Sequence, residues 1–389
     1  KDIPETVMQG SAAAALCSEM LKSVRNTEAS VKEYPVEKQV EGQEPRIGVF
    51  VCHCGINIAS VVDVENVSEY IENMPGVVHA EHTLYTCSQD TQKRMKEVIE
   101  EKNLNRIIVA SCTPRTHEAL FQESLREAGL NKYLFEMTDI REQCSWVHQK
   151  EPELATQKAK SLVRGSVGKS KFQEPITLKK ISINKEALVI GGGISGMTAA
   201  LSLANQGFRV HLTEKDEKLG GNLAYLHREL DGEDWQAFLK SKVQEVENHE
   251  NIELYLGANI DSVNGSIGNF TSKLNGQHDN QLQHGVTIVA TGADEYKPKS
   301  FLYGEHENVM SQRALEFELD QREKFGTVVM VQCVGSRDKE HQYCSRVCCS
   351  EAIKNAIYIK EKDPQANVYI LYRDLRTYTY REVFYRKAR

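Results

Sequence analysis

The sequence predicts an α/β protein, with a small N-terminal domain built on a mostly parallel sheet and a Rossmann-type domain behind it. Three observations predict this. Residues 46–165 alternate short apolar runs with helical segments. Ala187-Leu-Val-Ile190 runs straight into Gly191-Gly-Gly193-Ile-Ser-Gly196 and a helix-favouring stretch from Met197 to Gln206. A second apolar strand, Thr327-Val-Val-Met-Val-Gln332, meets cysteines where a two-nucleotide protein would open another glycine-rich loop.

A chain of 389 residues has room for two or three domains. Residues 1–24 read as one short amphipathic helix, since Pro4 suits a first turn and Ala12 to Ala15 favour helix. Residues 25–45 carry Glu, Lys, Pro and Gly without periodicity and read as a linker. In the domain at 46–165 the strands are 47–51, 77–80, 106–110 and 133–136, with helices near 63–74, 89–103, 115–129 and 141–165. Residues 166–184 form a second linker. The nucleotide domain occupies 185–389, with a more polar insertion around 232–280. The sequence stops at Arg389 soon after the strand 367–372, where a parallel sheet would need further strands, and Lys1 is not an initiator methionine. The expectation is therefore a piece of something longer, incomplete at its C-terminus.

A formal net charge of -7, with no basic block, argues against nucleic acid as a partner. No apolar run approaches the roughly 18 residues of a membrane span, and no signal peptide is visible. Ten cysteines in CxC and CC spacings suggest reduced thiols and metal ligation in an anaerobic cytoplasm, not a disulfide scaffold.

The glycine fingerprint has a mechanism. Gly191 permits a tight turn, Gly193 lets backbone N–H groups approach a diphosphate at a helix N-terminus beside Ile194 and Ser195, and Gly196 allows close helix–strand packing. The next strand, Arg209-Val-His-Leu-Thr213, ends in Glu214 and Lys215, eighteen residues after Gly196, where a carboxylate suits ribose hydroxyls. Gly220, Gly221 and Asn222, and then Ala290-Thr291-Gly292, follow where FAD enzymes bring backbone against their cofactor, so FAD is the expected nucleotide.

Cys333, Cys344, Cys348 and Cys349 make a C-x10-C-x3-C-C set that can hold a [4Fe–4S] cluster. Cys348 and Cys349 open a helix, whose electropositive end lowers the energy of a thiolate. Zinc is the alternative, although adjacent cysteines are unusual in zinc sites. Cys52, Cys54, Cys87 and Cys112 fall near strand ends or a helix start and converge on one sheet edge. They would permit a second cluster, a thiol-lined docking surface or a redox relay. Cys17 and Cys144 read as packing residues. His53, His117 and His148 flank this region and read as hydrogen-bonding residues, and carboxylate runs such as Glu97 to Glu101 read as solvated faces. No GxSxG accompanies any hydrolase-like triad.

Together these motifs resemble the A subunit of heterodisulfide reductase. The pieces that carry the resemblance are Val51-Cys-His-Cys-Gly-Ile-Asn57, Tyr85-Thr-Cys-Ser-Gln-Asp90, Ser111-Cys-Thr-Pro-Arg-Thr-His117, Ile140-Arg-Glu-Gln-Cys-Ser-Trp146, the Gly191 fingerprint, and Gln332-Cys-Val-Gly-Ser-Arg337 with Tyr343–Cys349. The resemblance implies a thioredoxin-reductase-like flavin domain and a cluster on Cys333, Cys344, Cys348 and Cys349. It implies a flavin electron hub within a larger complex, in which members split electron pairs between ferredoxin and a disulfide-reducing partner. The implied partners are other subunits of that type, ferredoxin, a hydrogenase- or formate-dehydrogenase-linked donor, and a second copy of the chain. The ferredoxin insert of some members is missing, since residues 232–280 hold no cysteine. Residues 1–24 resemble the closing helix of a preceding copy's flavin domain. The rival readings are an NAD(P)H-dependent disulfide oxidoreductase, which lacks its CxxC and second GxGxxG, and a non-catalytic FAD-binding scaffold.

Overall fold

A computed structural model describes residues 3–230 and 234–389. The chain divides into two units, Ala29–Lys180 in one and residues up to Glu28 with Ile181–Arg389 in the other. Helix α1 (Ile3–Met20) opens the second unit, and none of its residues is buried. The predicted helix is present, but the amphipathic burial expected of it is not, and Lys1 and Asp2 lie outside the described residues. Cys17, expected to pack, is exposed on this helix. Lys22 and Arg25 just beyond it hold the far end of a neighbouring helix by donating to Asn205 O (2.7 Å) and Gln206 O (3.1 Å).

The N-terminal unit runs β1 (Ile47–Cys52), α2 (Ile56–Ala59), α3 (Val64–Glu72), β2 (Val77–Thr83), α4 (Gln89–Glu101), β3 (Arg106–Ser111), α5 (Pro114–Glu127), β4 (Phe135–Asp139) and α6 (Pro152–Ser170). Its sheet is fully parallel in the order β2-β1-β3-β4. Every residue of β1 and β3 is buried, which is why both strands read as unbroken runs instead of alternating ones. Side chains still alternate between faces. Val49 and Val51 pack with α3 and α6, whereas Phe50 packs with α4 and α5. Asp63 and Ser88 cap α3 and α4 by accepting backbone N–H bonds.

The sequence expectation of one helix over 141–165 is corrected here. Arg141–Ser145 forms a single π-type turn, and α6 starts only at Pro152. Asp139 Oδ1 accepts from the N–H groups of Arg141 (3.1 Å) and Glu142 (2.9 Å), which pins that turn to the sheet edge. Proline at the first helical position then fixes where α6 begins.

In the second unit follow β5 (Ala187–Ile190), α7 (Ile194–Asn205), β6 (Val210–Thr213), α8 (Trp235–Glu247), β7 (Ile252–Tyr255), β8 (Ala258–Ser266), β9 (Asn269–Gly276), β10 (Gln281–His284) and β11 (Val286–Val289). Strands β11-β5-β6-β7 form a parallel Rossmann sheet, and β10-β9-β8 an antiparallel one. The expected polar insertion at 232–280 is thus no insertion in its described part. Helix α8 and β7 complete the nucleotide sheet, and β8 to β10 cover its other face through Leu188, Leu274 and Leu282. Residues 232 and 233 of that range lie outside the described residues.

The chain ends with α9 (Gln312–Gln321), β12 (Thr327–Val331), α10 (Cys348–Lys362), β13 (Asn367–Leu371) and α11 (Glu382–Ala388). Strands β12 and β13 pair in parallel around the α10 crossover. Met330 packs with Ala352, Ala356 and Ile359 on one face. The other face is bare, with Val329, Val331, Tyr369 and Leu371 exposed. Among the described residues, no helix is long and apolar enough to cross a membrane.

Candidate functional site

Three places at the carboxyl ends of parallel strands carry the predicted residues, the position where such sheets bind ligands. The first is a cradle made of backbone. Gly191 (φ +108°) turns the chain out of β5, and a Cβ there would strike the Ala290 carbonyl. A Cβ on Gly196 would run into the Gly191 carbonyl, so the first turn of α7 packs against the strand only without one. Helix α7 has Gly193 as N-cap and no side-chain cap, leaving its first-turn N–H groups facing outward. A Cβ on Gly193 would meet only Gly221 Cα, at 4.0 Å, so its outer side is open. That room and those donors fit a dinucleotide diphosphate.

Around this turn the structure gathers the other predicted residues. Gly193 bridges Gly220 in parallel, tying the two glycine loops together. Glu214 is buried and accepts from Gly192 N (2.6 Å) and Asp216 N (3.0 Å), so its carboxylate first orders the loop. Ala290 N donates to Ile190 O (2.8 Å), which brings Thr291 and Gly292 beside the turn. Asn222 donates to Ala293 O (3.0 Å) and accepts from Arg313. Lys215 reaches Asp294 in an exposed pair at 3.5 Å. Ile194 packs against the core behind α7.

The second place is the loop between β12 and α10. Cys333 (φ +61°), Gly335 (+70°), Arg337 (+57°) and Arg346 (+66°) are all left-handed, so the loop is wound tightly. Sulfur atoms here collect N–H groups. Arg346 N donates to Cys344 Sγ at 3.3 Å, and the Cys333 backbone donates to the Cys348 thiol. Arg337 lies within hydrogen-bonding reach of Cys333, and Arg376 within reach of Cys344. Such donors stabilise negative sulfur. The thiol chemistry and this donor set fit an iron–sulfur cluster. Among the described residues, no three Cys, His, Asp or Glu side chains stand close enough to share one metal ion. A cubane needs no such gathering, because each thiolate binds a different iron. Burial pushes the Cys348 thiol up, Cys349, Cys333 and Cys344 add to that, and the bond from the Cys333 backbone opposes it.

The third place is the edge of the N-terminal sheet. Cys52 ends β1, Cys54 follows in a left-handed turn (φ +48°), Cys112 follows β3, and Cys87 precedes α4. Cys52 Sγ accepts from Cys54 N (3.2 Å) and Thr86 N (3.4 Å). Arg141 Nη1 donates to Cys54 Sγ at 3.2 Å and is itself held by Glu142 at 2.7 Å. Burial pushes the Cys87 and Cys112 thiols up; Cys52 adds to the first, while a bond from Ser111 and the charge of Arg141 oppose the second. Cys144 is buried, donates to Ala155 O and packs, as expected. His53 lies 2.9 Å from His82, ring nitrogen to ring nitrogen, and His148 bonds Glu151.

Known proteins are similar to this chain. A family model described as pyridine nucleotide-disulphide oxidoreductase matches residues 185–331, from the first Rossmann strand to the end of β12. In Methanothermobacter marburgensis, the A subunit of H(2):CoB-CoM heterodisulfide,ferredoxin reductase is 35% identical over 88% of this chain and 66% of its own length. In Methanocaldococcus jannaschii, the iron-sulfur A subunit of CoB--CoM heterodisulfide reductase is 34% identical over 88% of this chain and 67% of its own. The chain belongs to the family of heterodisulfide reductase A subunits. It spans about two thirds of the length of these relatives. A solved thioredoxin reductase from T. acidophilum overlays 52% of this chain and 62% of its own, with 18% identity and a TM-score of 0.34.

In this member of the heterodisulfide reductase A-subunit family, the structure adds residues that sequence reasoning missed. Lys354, on α10 beyond the cysteines, is 2% exposed and pairs with Glu316 and with Glu351 (2.9 Å). Burial pulls Lys354 down to about 8 and pushes Glu351 up to about 7. Lys354 also donates to Arg228 O (3.2 Å), and Glu316 accepts from His227 N (2.8 Å). The cysteine helix is thereby tied to the strap that follows the glycine loop at 220–225. Arg141 stands out in the sequence only as part of a motif. An (i, i+3) Glu–Lys pair on α10 was the available signal for Glu351 and Lys354, but that pattern normally marks a solvated face.

Proposed function

We propose that this chain is a FAD- and [4Fe–4S]-containing electron-transfer subunit of a heterodisulfide-reductase-like complex, and thus an oxidoreductase. The observation that supports it best is the pairing, in one folded unit, of a bare-backbone dinucleotide cradle with a four-cysteine loop rich in N–H donors to sulfur. Bound FAD would supply the exchange between electron pairs and single electrons. The residues of the chain bind and orient. The first turn of α7 faces the diphosphate, Glu214 orders the turn and offers its carboxylate to the ribose, and Gly220, Gly221, Asn222 and Ala290 to Gly292 border the cofactor. Cys333, Cys344, Cys348 and Cys349 are the ligands of the cluster. No side chain performs covalent chemistry on a substrate. The partners in this reading are other subunits of the complex, ferredoxin, a hydrogenase- or formate-dehydrogenase-linked donor and a second copy, within a cytoplasm. The name of the M. marburgensis relative mentions both the heterodisulfide and ferredoxin, in keeping with splitting of electron pairs. An NAD(P)H reading is disfavoured because Cys333-Val-Gly-Ser-Arg337 follows β12 where a second GxGxxG would stand.

The test is iron, acid-labile sulfide and FAD per chain after anaerobic purification. One FAD with about four irons supports the reading, and about eight brings in Cys52, Cys54, Cys87 and Cys112 as a second cluster. FAD with zinc, or with no metal, refutes it. Gly196→Ala is expected to abolish retained FAD, since its Cβ has no space beside the Gly191 carbonyl.

A further inference from the structure

Gln332 is 8% exposed, and among the described residues neither its side-chain Nε2 nor its Oε1 has a hydrogen-bond partner. A buried carboxamide with both ends unpaired is rare in folded proteins and marks a place where a polar group belongs. Its place is well defined. Gln332 N donates to Leu371 O at 2.9 Å, so the residue prolongs the β12–β13 ladder by one step. Side chains alternate along a strand, which puts Gln332 on the face of Val328 and Met330, the face that packs against α9 and α10. In a parallel crossover the helix N-terminus returns to the carboxyl end of the strand it left. Gln332 is therefore on the α10 side of the ladder, at the end where α10 starts with Cys348 and Cys349.

Two further observations point to the same spot. Helix α10 has fifteen residues and no side-chain cap from Val347, and the first-turn N–H groups of a helix have no partner within it. The backbone of Cys333, the next residue, already donates to the Cys348 thiol. An uncapped helix end, a backbone donor and an orphaned buried amide thus converge on the cysteines. The group they suit is anionic sulfur, which accepts several N–H bonds at once.

Resting on the iron–sulfur reading above, we infer that the Gln332 carboxamide donates a hydrogen bond to sulfur of the group held by Cys333, Cys344, Cys348 and Cys349. By stabilising the more negative, reduced state, it sets the reduction potential of that group. It makes no bond to iron and transfers no proton.

The experiment is an EPR-monitored redox titration of the full chain, purified anaerobically, with Gln332→Leu and the similarly long Gln332→Met beside the unaltered protein. Both variants lose the donor without gaining a charge and are expected to move the potential downward while iron and FAD per chain stay unchanged. Should the leucine variant fail to fold by circular dichroism, the methionine variant decides in its place. An unchanged potential and EPR spectrum with iron still bound overturns the inference and leaves the iron–sulfur reading standing. A shift confined to the flavin absorption also overturns it, since the amide then faces the flavin. Unaltered chain without iron overturns both.

Discussion

Two sheet edges in this chain each bring four cysteines into play, and they are built in opposite ways. At the N-terminal edge the thiols come from three separate connections, above a parallel sheet whose two central strands are wholly buried. Their places are set by the fold: Cys52 is held by two backbone donors, and Cys54 by Arg141. At the C-terminal edge all four lie in one loop and the helix turn after it, over a two-stranded sheet with one bare face. The first arrangement gathers thiols from distant segments. The second is local in sequence and tightly wound, and is tied to the segment after β13, where Arg337 pairs with Asp374, Arg346 donates to the Tyr378 hydroxyl (3.2 Å) and Arg381 to the Ser350 hydroxyl (3.2 Å). The expectation is preorganisation at one edge and ligand-driven order at the other.

Replacing Cys348 and Cys349 together by serine tests it most severely. About four irons per chain should be lost, and hydrogen exchange should quicken across residues 333–347 while the turn at 84–88 keeps its protection. Equal quickening at both edges would erase the distinction.

A smaller effect is expected from Arg141→Leu. It leaves Cys54 without its donor and Glu142 without its cation, at a cost of about 1–3 kcal/mol. Urea denaturation followed through the N-terminal unit reads this, and an unchanged midpoint would mean that the edge is not held by this guanidinium.

The smallest effect lies outside both edges and serves as their control. His284 is wholly buried, and burial lowers its proton affinity below the ordinary value of about 6.5, with a bond to Val286 O opposing. The unfolded chain then takes up a proton that the folded chain refuses. Stability is complete above the unfolded value and is lost as pH falls below it, by at most about 1.4 kcal/mol per pH unit for one proton. Thermal midpoints between neutral and mildly acidic pH should fall, and less so in His284→Gln. A variant with the same slope as the parent would remove His284 as the cause.

The legible parts of the sequence were those that act through neighbours in the chain. Gly191 to Gly196 announces its turn because each glycine answers to backbone within a few residues. The four C-terminal cysteines are readable for the same reason. What escaped depends on distance. Lys354 looks like a surface lysine until α9 supplies Glu316, thirty-eight residues earlier, and the strap supplies Arg228 O. Arg141 matters through Cys54, eighty-seven residues away. Helix α8 and β7 looked like an insertion because their half-buried, charge-rich surfaces hide their place in the Rossmann sheet. The break at 146–151 was missed because a π-type turn keeps helical composition while the Asp139 side chain takes over its hydrogen bonding.

The bare face of β12 and β13 has a practical consequence. Val329, Val331, Tyr369 and Leu371 form an exposed apolar strip along paired strands. Handled alone, this chain is a colloidal problem as much as a redox one. An apolar strip of this kind favours association between copies as concentration rises, and mild detergent should oppose it.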